Sequence, residues 1–304
     1  MRFLEYCSFF CILMRTFGNI ILYCSFVPPS FFSLIMLMPL SAKVHSLHPN
    51  PTVPTPGQVD LVGAGPGDPE LLTLKAYRLI SQAQLIIHDR LIAAPILDLA
   101  PADANLIAVG KQGFGASWSQ SDINHLLIKH AQQGMDIVRL KSGDATLFGR
   151  LDEEIQALSA ADIAWSIVPG ITAASAATAA IGQSLTRRQR NASIQFLTGH
   201  DMAGFAHHDW RALARPGNVA AIYMGMRAAR FLQGHLLMQG AAPSTPISII
   251  ISASRPDQHI IAATLGSLVD HIQATDLSGP AILLYGLAPR DAVAVELPIQ
   301  QAAV

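Results

Sequence analysis

The sequence has no cysteine after residue 24, because Cys7, Cys11 and Cys24 all lie in its opening segment. Disulfides and cysteine-ligated metal sites are therefore excluded from the rest of the chain. The sequence also lacks an excess of either charge, since it has 20 Lys and Arg residues and 21 Asp and Glu residues. Nucleic-acid binding needs a basic excess to neutralise phosphates, so we expect no nucleic-acid partner. A reducing compartment, the cytoplasm, is the expected location.

Charge is almost missing from the first fifty residues. Their only charged side chains are Arg2, Glu5, Arg15 and Lys43. A membrane-spanning helix needs about 20 apolar residues in a row, and Pro28-Pro29 interrupts this apolar run. We therefore expect no membrane association and interpret residues 1–57 as an apolar, disordered extension. We also expect that translation starts at Met36 or Met38 and that the given sequence begins too early. A membrane anchor or a signal peptide are the alternatives.

From residue 58 onward, short apolar runs alternate with stretches of helical periodicity. Strands are predicted at 59–62, 85–87, 107–109, 136–140, 165–168, 194–198, 219–223, 247–251 and 281–285. Strands that alternate with helices imply parallel pairing with right-handed crossovers. Pro169-Gly170 lies about halfway through this region. The sequence therefore predicts an N-terminal α/β domain over 58–169 and a C-terminal α/β domain over 170–304, both of ordinary size.

A glycine-rich loop follows the first predicted strand, with Gly63, Gly65 and Gly67 around Pro66. It does not fit the G-x-G-x-x-G dinucleotide template, because Pro66 removes a backbone N–H that a pyrophosphate would use. The phosphate-binding pattern G-x-x-x-x-G-K-[ST] is also lacking. Three glycines and a proline instead make a rigid corner that lets backbone approach a ligand closely, although a tight turn without a ligand would have the same composition.

Five other loops at predicted strand ends carry residues suited to a site. Among them, Asp89, Lys111 and Asp144 each follow a different predicted strand. A single Asp after a strand is usually a turn or cap residue. Carboxyl ends of strands, however, share one edge of an open α/β sheet, and ligands bind there. The sequence therefore predicts one site at this edge.

Seven stretches of the sequence together resemble a known protein family. They are VDLVGAGPGDPELLTLKAYRLI, IIHDRLI, VGK, VRLKSGDATLFGR, VPGITAASAA, QFLTGH and IYMG. From about residue 59 to 287, in order and spacing, they resemble the tetrapyrrole methylase family and, within it, the uroporphyrinogen-III C-methyltransferases. The resemblance implies the tetrapyrrole methylase fold, two α/β domains with a cleft for S-adenosyl-L-methionine, and usually a homodimer. It also implies methylation of uroporphyrinogen III to precorrin-2, through precorrin-1, in sirohaem or cobalamin biosynthesis, with S-adenosyl-L-homocysteine as the other product.

The same resemblance assigns residue roles. Asp89 would be the proton acceptor and Lys111 the proton donor. The positions that would line the cofactor site are Pro66, Ser142, Gly143, Asp144, Leu147, Thr172, Ala173, Met224 and Ala253. No metal is expected, because S-adenosyl-L-methionine carries an already activated methyl group. The substrate's carboxylates need cations, and those available are Arg139, Lys141, Arg150, Arg187, Arg188 and Arg190.

The chain departs from the family pattern at several glycines. Where relatives usually have glycine, this chain has Ser142, Leu151, Asp152 and Ala253. A side chain at a position that needs positive φ costs on the order of 1 kcal/mol, so these losses bear on cofactor affinity and substrate fit. The alternative functions are therefore a later precorrin methyltransferase of the same family, or a non-catalytic relative that still binds tetrapyrrole or cofactor.

Overall fold

The computed structural model describes residues 55–110, 118–201, 204–274 and 279–291. They belong to the unit Val53–Val304; the other unit, Met1–Thr52, lies outside the described residues. The interpretations placed on the opening segment, including the start at Met36 or Met38, also lie outside, and so does Lys111. Within the described ranges, no helix is long and apolar enough to span a membrane.

The first half of the described chain forms an all-parallel sheet. Its strands are β1 (Val59–Gly63), β2 (Leu85–Asp89), β3 (Asn105–Val109), β4 (Ile137–Lys141) and β5 (Trp165–Val168), in the order β3-β2-β4-β1-β5. Its helices are α1 (Leu74–Gln82), α2 (Ala94–Leu97), α3 (Gln120–Gln132) and α4 (Leu151–Ala160). The parallel pairing predicted for this half is confirmed.

Helices cover both faces of this sheet, as parallel sheets require. Alternate residues of a strand point to opposite faces. Leu61 therefore packs with Leu127 of α3 and Leu158 of α4, whereas Val62 packs with Ile80 of α1. Helix α3 begins at a capping box, in which the Ser119 side chain accepts from the Asp122 backbone N–H while the Asp122 carboxylate accepts from the Ser119 backbone N–H.

The second half forms a mixed sheet. Its strands are β6 (Gln195–Thr198), β9 (Ala220–Tyr223), β10 (Pro246–Ile251), β11 (His259–Thr264) and β12 (Ala281–Tyr285), in the order β11-β10-β12-β9-β6. A separate hairpin pairs β7 (His200–Asp201) with β8 (Gly204–Phe205). The helices are α5 (Ala173–Ala180), α6 (Trp210–Leu213), α7 (Gly225–Met238) and α8 (Leu268–Ala274).

The expectation of parallel pairing throughout is wrong for this second sheet. Only β6 and β9 pair in parallel there, while β10 is antiparallel to both β11 and β12, and β12 to β9. The connection 252–258 between β10 and β11 contains no helix. So short a link reverses the chain, because parallel neighbours need a crossover of a dozen or more residues. The domain boundary at 169/170 stays a prediction.

Candidate active site

Three glycines bring the ends of β1, β4 and β5 into backbone contact. Gly65 and Gly143 form an antiparallel bridge in which each N–H donates to the other's carbonyl oxygen, at 3.0 and 2.8 Å. A Cβ added to Gly170 would lie 2.3 Å from the Gly143 carbonyl oxygen. That distance leaves no room for a side chain at Gly170, and the positive φ of Gly65 and Gly143, 67° and 70°, favours glycine at both. The loops predicted to hold the cofactor therefore meet at one point.

The Asp144 carboxylate fastens this junction. Its Oδ2 accepts from the Gly170 backbone N–H at 3.1 Å, and its Oδ1 accepts from the Thr146 backbone N–H at 2.7 Å. Leu147 lies in the same loop, where its N–H donates to the Asp144 carbonyl at 3.2 Å. A Cβ on Gly143 would lie 3.7 Å from the Ala173 nitrogen. The structure thus gathers Gly143, Asp144, Leu147 and Ala173, four positions that the resemblance assigned to the cofactor.

Tyr223, at the end of β9, joins the second sheet to this group. Its hydroxyl forms a hydrogen bond with the Thr172 hydroxyl and accepts from the Ala174 backbone N–H at 3.4 Å. Burial raises the pKa of Tyr223 above its usual value. The Phe148 ring packs 5.1 Å from the Tyr223 ring, centre to centre. Next to it, Met224 is half exposed and has a positive φ of 54°. Thr172 and Met224 therefore both adjoin Tyr223, Thr172 through its hydroxyl and Met224 as the next residue in the chain.

The loop after β10 contacts the first glycine-rich loop. The Asp68 N–H donates to Ser254 Oγ at 3.2 Å. The Arg255 guanidinium donates to the Pro66 carbonyl at 3.3 Å and to the Leu91 carbonyl at 2.6 Å. Ala253, which precedes these two residues, is buried. Pro66 and the Ala253 loop are thus held together across the two sheets.

Asp89 lies at the end of β2, with its side chain one-third exposed. Arg139 Nη2 donates to Asp89 Oδ1 at 2.6 Å and to Glu154 Oε1 at 3.0 Å. Lys141 Nζ donates to the same Glu154 oxygen at 2.8 Å. Burial alone lowers the pKa of Arg139, but the charges of Asp89 and Glu154 raise it above its usual value. Burial, followed by the Arg139 charge, lowers the pKa of Lys141.

The expectation that Arg139 and Lys141 bind substrate carboxylates is wrong. Their side chains are only 2% and 3% exposed, and each is already paired with Glu154. The remaining cations lie nearer the surface. Arg150 pairs with Glu153 at 2.6 Å, Arg187 and Arg188 are exposed, and Arg190 donates to Asn191 and to the Ser184 carbonyl.

The four residues that stand where relatives have glycine do not adopt the positive φ that would strain their backbone. In the described part of the chain, the non-glycine residues with positive φ are Phe148, Arg150, Asp162, Gln189, Met224, Ser252 and Ser254. None of the four replacements, Ser142, Leu151, Asp152 and Ala253, is among them. Leu151 and Asp152 begin helix α4, where residues other than glycine are favoured.

Sequence reasoning missed Glu154, the Tyr223 hydroxyl and Arg255. A signal for Glu154 was present, since Arg139 and Lys141 alternate along an otherwise apolar strand and buried cations require a counter-charge. Nothing local indicated Arg255, because its partners lie far away in the sequence. Within the ranges that the structure describes, no group of three or more His, Cys, Asp or Glu side chains is placed to hold a metal ion.

Comparisons with known proteins agree with this arrangement. Residues 58–269 match the family model of tetrapyrrole (corrin/porphyrin) methylases. Siroheme synthases of Pseudoalteromonas translucida and Nitrosomonas europaea are each 43% identical over 76% of this chain. The chain spans about half the length of these curated relatives, 49% and 48%.

Solved structures show the same relationship over nearly their whole length. The native uroporphyrin III C-methyl transferase of Thermus thermophilus is 34% identical, with a TM-score of 0.65, and 92% of it is covered by 76% of this chain. The same enzyme complexed with S-adenosylhomocysteine gives a TM-score of 0.64 at the same identity and coverage. With the matching fold and the gathered strand-end loops, these findings make the chain a member of the tetrapyrrole methylase family.

Proposed function

We propose that this chain transfers methyl groups from S-adenosyl-L-methionine to ring carbons of uroporphyrinogen III, giving precorrin-2 through precorrin-1 in sirohaem biosynthesis. The observation that carries the proposal is the meeting of the loops after β1, β4, β5, β9 and β10 around Gly143 and Thr172. The Thermus thermophilus relative with bound S-adenosylhomocysteine and the siroheme synthases support it.

The residues present fit such a cofactor. Gly143 and Gly170 let the backbone of two strand-end loops come close together, and Phe148 and Met224 offer partly exposed apolar surface near Tyr223. The residues that would hold it are Pro66, Ser142, Gly143, Asp144, Leu147, Thr172, Ala173, Met224 and Ala253. When bound, S-adenosyl-L-methionine supplies an activated methyl on a positively charged sulfur. An apolar surrounding favours the loss of that charge during transfer.

Asp89 is the proposed general base. Its carboxylate is partly exposed and fixed by Arg139 at 2.6 Å, so its remaining oxygen can accept the proton that leaves the substrate as the ring carbon is methylated. General-base assistance contributes about 10²- to 10⁴-fold in rate. Lys111 is the proposed proton donor, on the strength of the family resemblance alone.

An anaerobic assay with uroporphyrinogen III and S-adenosyl-L-methionine, read by mass spectrometry, tests the function. We expect a product with two additional methyl groups. Asp89→Asn should bind the cofactor normally, by calorimetry, but turn over at least about 100-fold more slowly. Asp270→Asn, an exposed carboxylate on α8, is the matched control.

Two outcomes would contradict the proposal. Cofactor binding without any methyl transfer to uroporphyrinogen III would favour a later precorrin substrate, or a relative that binds without catalysis. Full activity of Asp89→Asn would remove Asp89 from the mechanism.

The assembly that the resemblance implies and the location inferred from cysteine usage are also part of the proposal. We expect a homodimer in the cytoplasm, because relatives with this pattern usually pair and because no cysteine beyond residue 24 calls for an oxidising compartment. Sedimentation of the purified protein over a range of concentrations tests the dimer, and a monomer at all concentrations would contradict it. Fractionation of the producing cell tests the location.

A further inference from the structure

The central strand β4 carries two cations inside the protein. Arg139 and Lys141 alternate along it and so point to the same face, the one covered by α3 and α4. Neighbouring strands place Leu61 and Ile87 opposite Arg139. Lysine and arginine are almost never fully buried unless they are paired. These two cations therefore require a side chain that places a buried counter-charge beside them.

That side chain is Glu154, in the first turn of α4. It is completely buried, and its Oε1 accepts from Arg139 Nε at 3.2 Å and Nη2 at 3.0 Å, from Lys141 Nζ at 2.8 Å and from Gln120 Nε2 at 3.3 Å. Gly149 makes room for this arrangement, because a Cβ there would lie 3.0 Å from Lys141 Cε. One oxygen thus holds both cations in place.

The arrangement extends outward to Asp89. The same nitrogen, Arg139 Nη2, touches Glu154 Oε1 on its inner side and Asp89 Oδ1 on its outer side, while Nη1 donates to the Leu140 carbonyl at 3.1 Å. Three of the four charged groups are buried, and Asp89 alone is one-third exposed. The direction of the Asp89 carboxylate is therefore set from inside, through a guanidinium that Glu154 fixes.

We propose that Glu154 is a positioning residue for the methyl-transfer reaction: it anchors Arg139 so that Arg139 holds the Asp89 carboxylate at the strand edge in its reactive orientation. This inference rests on the proposed function of Asp89. Two cations balanced by two carboxylates make the four groups neutral together. Removing the Glu154 charge leaves both cations with Asp89 as the remaining carboxylate of the group, which draws that carboxylate inward.

Glu154→Gln, which keeps the shape and removes the charge, is the first test. We expect kcat to fall about 10- to 100-fold, because a small misplacement of a catalytic group has effects of this size, with an unchanged Kd for S-adenosyl-L-methionine, while Glu154→Asp recovers part of the loss. The cofactor loops around Gly143 do not contact Glu154 in the described hydrogen-bond network, so their affinity for the cofactor serves as an internal reference. Asp270→Asn is again the control.

The double variant Asp89→Asn with Glu154→Gln separates positioning from general damage. If Glu154 acts through Asp89, adding Glu154→Gln to Asp89→Asn should lower kcat by less than twofold, because the group that it positions is already disabled. A loss equal to that in the wild-type background would overturn the proposal. So would a Glu154→Gln variant with wild-type kcat.

If Glu154→Gln fails to fold, a variant with balanced charge takes its place in the test. Lys141→Met with Glu154→Gln removes one cation and one anion together, so that no uncompensated charge stays buried. We expect this double variant to fold and its kcat still to fall by about tenfold or more. A wild-type kcat in the double variant would contradict the proposal. Failure of the proposed function looks different, since either the wild-type protein would transfer no methyl group to uroporphyrinogen III or Asp89→Asn would be fully active.

Discussion

The carboxylate of Asp144 accepts a hydrogen bond at 3.1 Å from the backbone N–H of Gly170, across the end of the intervening strand β1. Asp144 follows the central strand β4, and Gly170 follows the edge strand β5. The contact therefore ties the strand that carries the buried cations to the loop that begins α5. In this protein Asp144 holds the site together, in addition to any contact with a ligand.

We expect Asp144→Ala to lower the free energy of unfolding by about 2 kcal/mol, because hydrogen bonds to a charged group contribute about 1.5–3 kcal/mol. Asp144→Asn keeps an acceptor oxygen and should lose less. Urea unfolding gives the first quantity, and calorimetry with S-adenosyl-L-methionine shows whether affinity falls in parallel. Equal stability of the alanine and wild-type proteins would show that the Gly170 contact contributes nothing.

Gly170→Ala is expected to be the most damaging single-methyl change at the site. Its Cβ would lie 2.3 Å from the Gly143 carbonyl oxygen, so backbone must move, at a cost of about 1–3 kcal/mol. Gly234→Ala is the matched control, since a Cβ there meets nothing within 4 Å and alanine favours the helix by about 0.5–1 kcal/mol. Opposite signs of the two changes in urea unfolding are the expected result.

Tyr223→Phe removes the hydroxyl that bonds Thr172 and Ala174. A single hydrogen bond contributes about 1 kcal/mol, so we expect the affinity for S-adenosyl-L-methionine to fall about fivefold. Tyr285→Phe loses a comparable bond, to Thr245, on a buried strand. It should lower stability while leaving that affinity unchanged. Equal affinity of the Tyr223→Phe and wild-type proteins would mean that the Thr172 loop keeps its position without the bond.

Acid stability should depend on the capping box of α3. The pKa of Asp122 is lowered from its ordinary value of 3.8, chiefly by the Ser119 side-chain hydrogen bond. A carboxylate with a lowered pKa stabilises the folded state above its ordinary pKa, and that contribution is lost as pH falls through the folded-state pKa. The stability difference between wild type and Asp122→Asn should therefore shrink below about pH 4. A difference that stays constant from pH 7 to pH 3 would contradict this linkage.

Much of the fold could be predicted from the sequence, because apolar runs mark buried strands directly. The strands at Val59–Gly63, Trp165–Val168 and Ala281–Tyr285 follow such runs closely. Their direction could not be predicted in the second half, since an apolar run such as Pro246–Ile251 has the same pattern in parallel and antiparallel sheets. There the length of the following connection decided the pairing.

The proximity of some assigned positions was predictable where they lie in short local stretches at strand ends. Gly143, Asp144 and Thr172 were assigned by resemblance, and the structure brings them together. Arg139 was misinterpreted because a cation next to a site loop suggests ligand binding, whereas its partner Glu154 reaches it through tertiary packing. Arg255 was missed for the same reason, since its contacts with Pro66 and Leu91 join distant parts of the chain.

The position of β1 between β4 and β5 has a consequence for the order of events during synthesis. β1 leaves the ribosome before either of its neighbours, Ile137–Lys141 and Trp165–Val168, has been made. One edge of β1 stays unpaired until the chain has grown to Lys141 and the other until it has grown to Val168, and unpaired apolar strands are prone to aggregate. The helices made in the interval can form locally, but the sheet closes late and around its earliest strand. Folding of this half should therefore be slow for its size, as expected when partners are far apart in sequence.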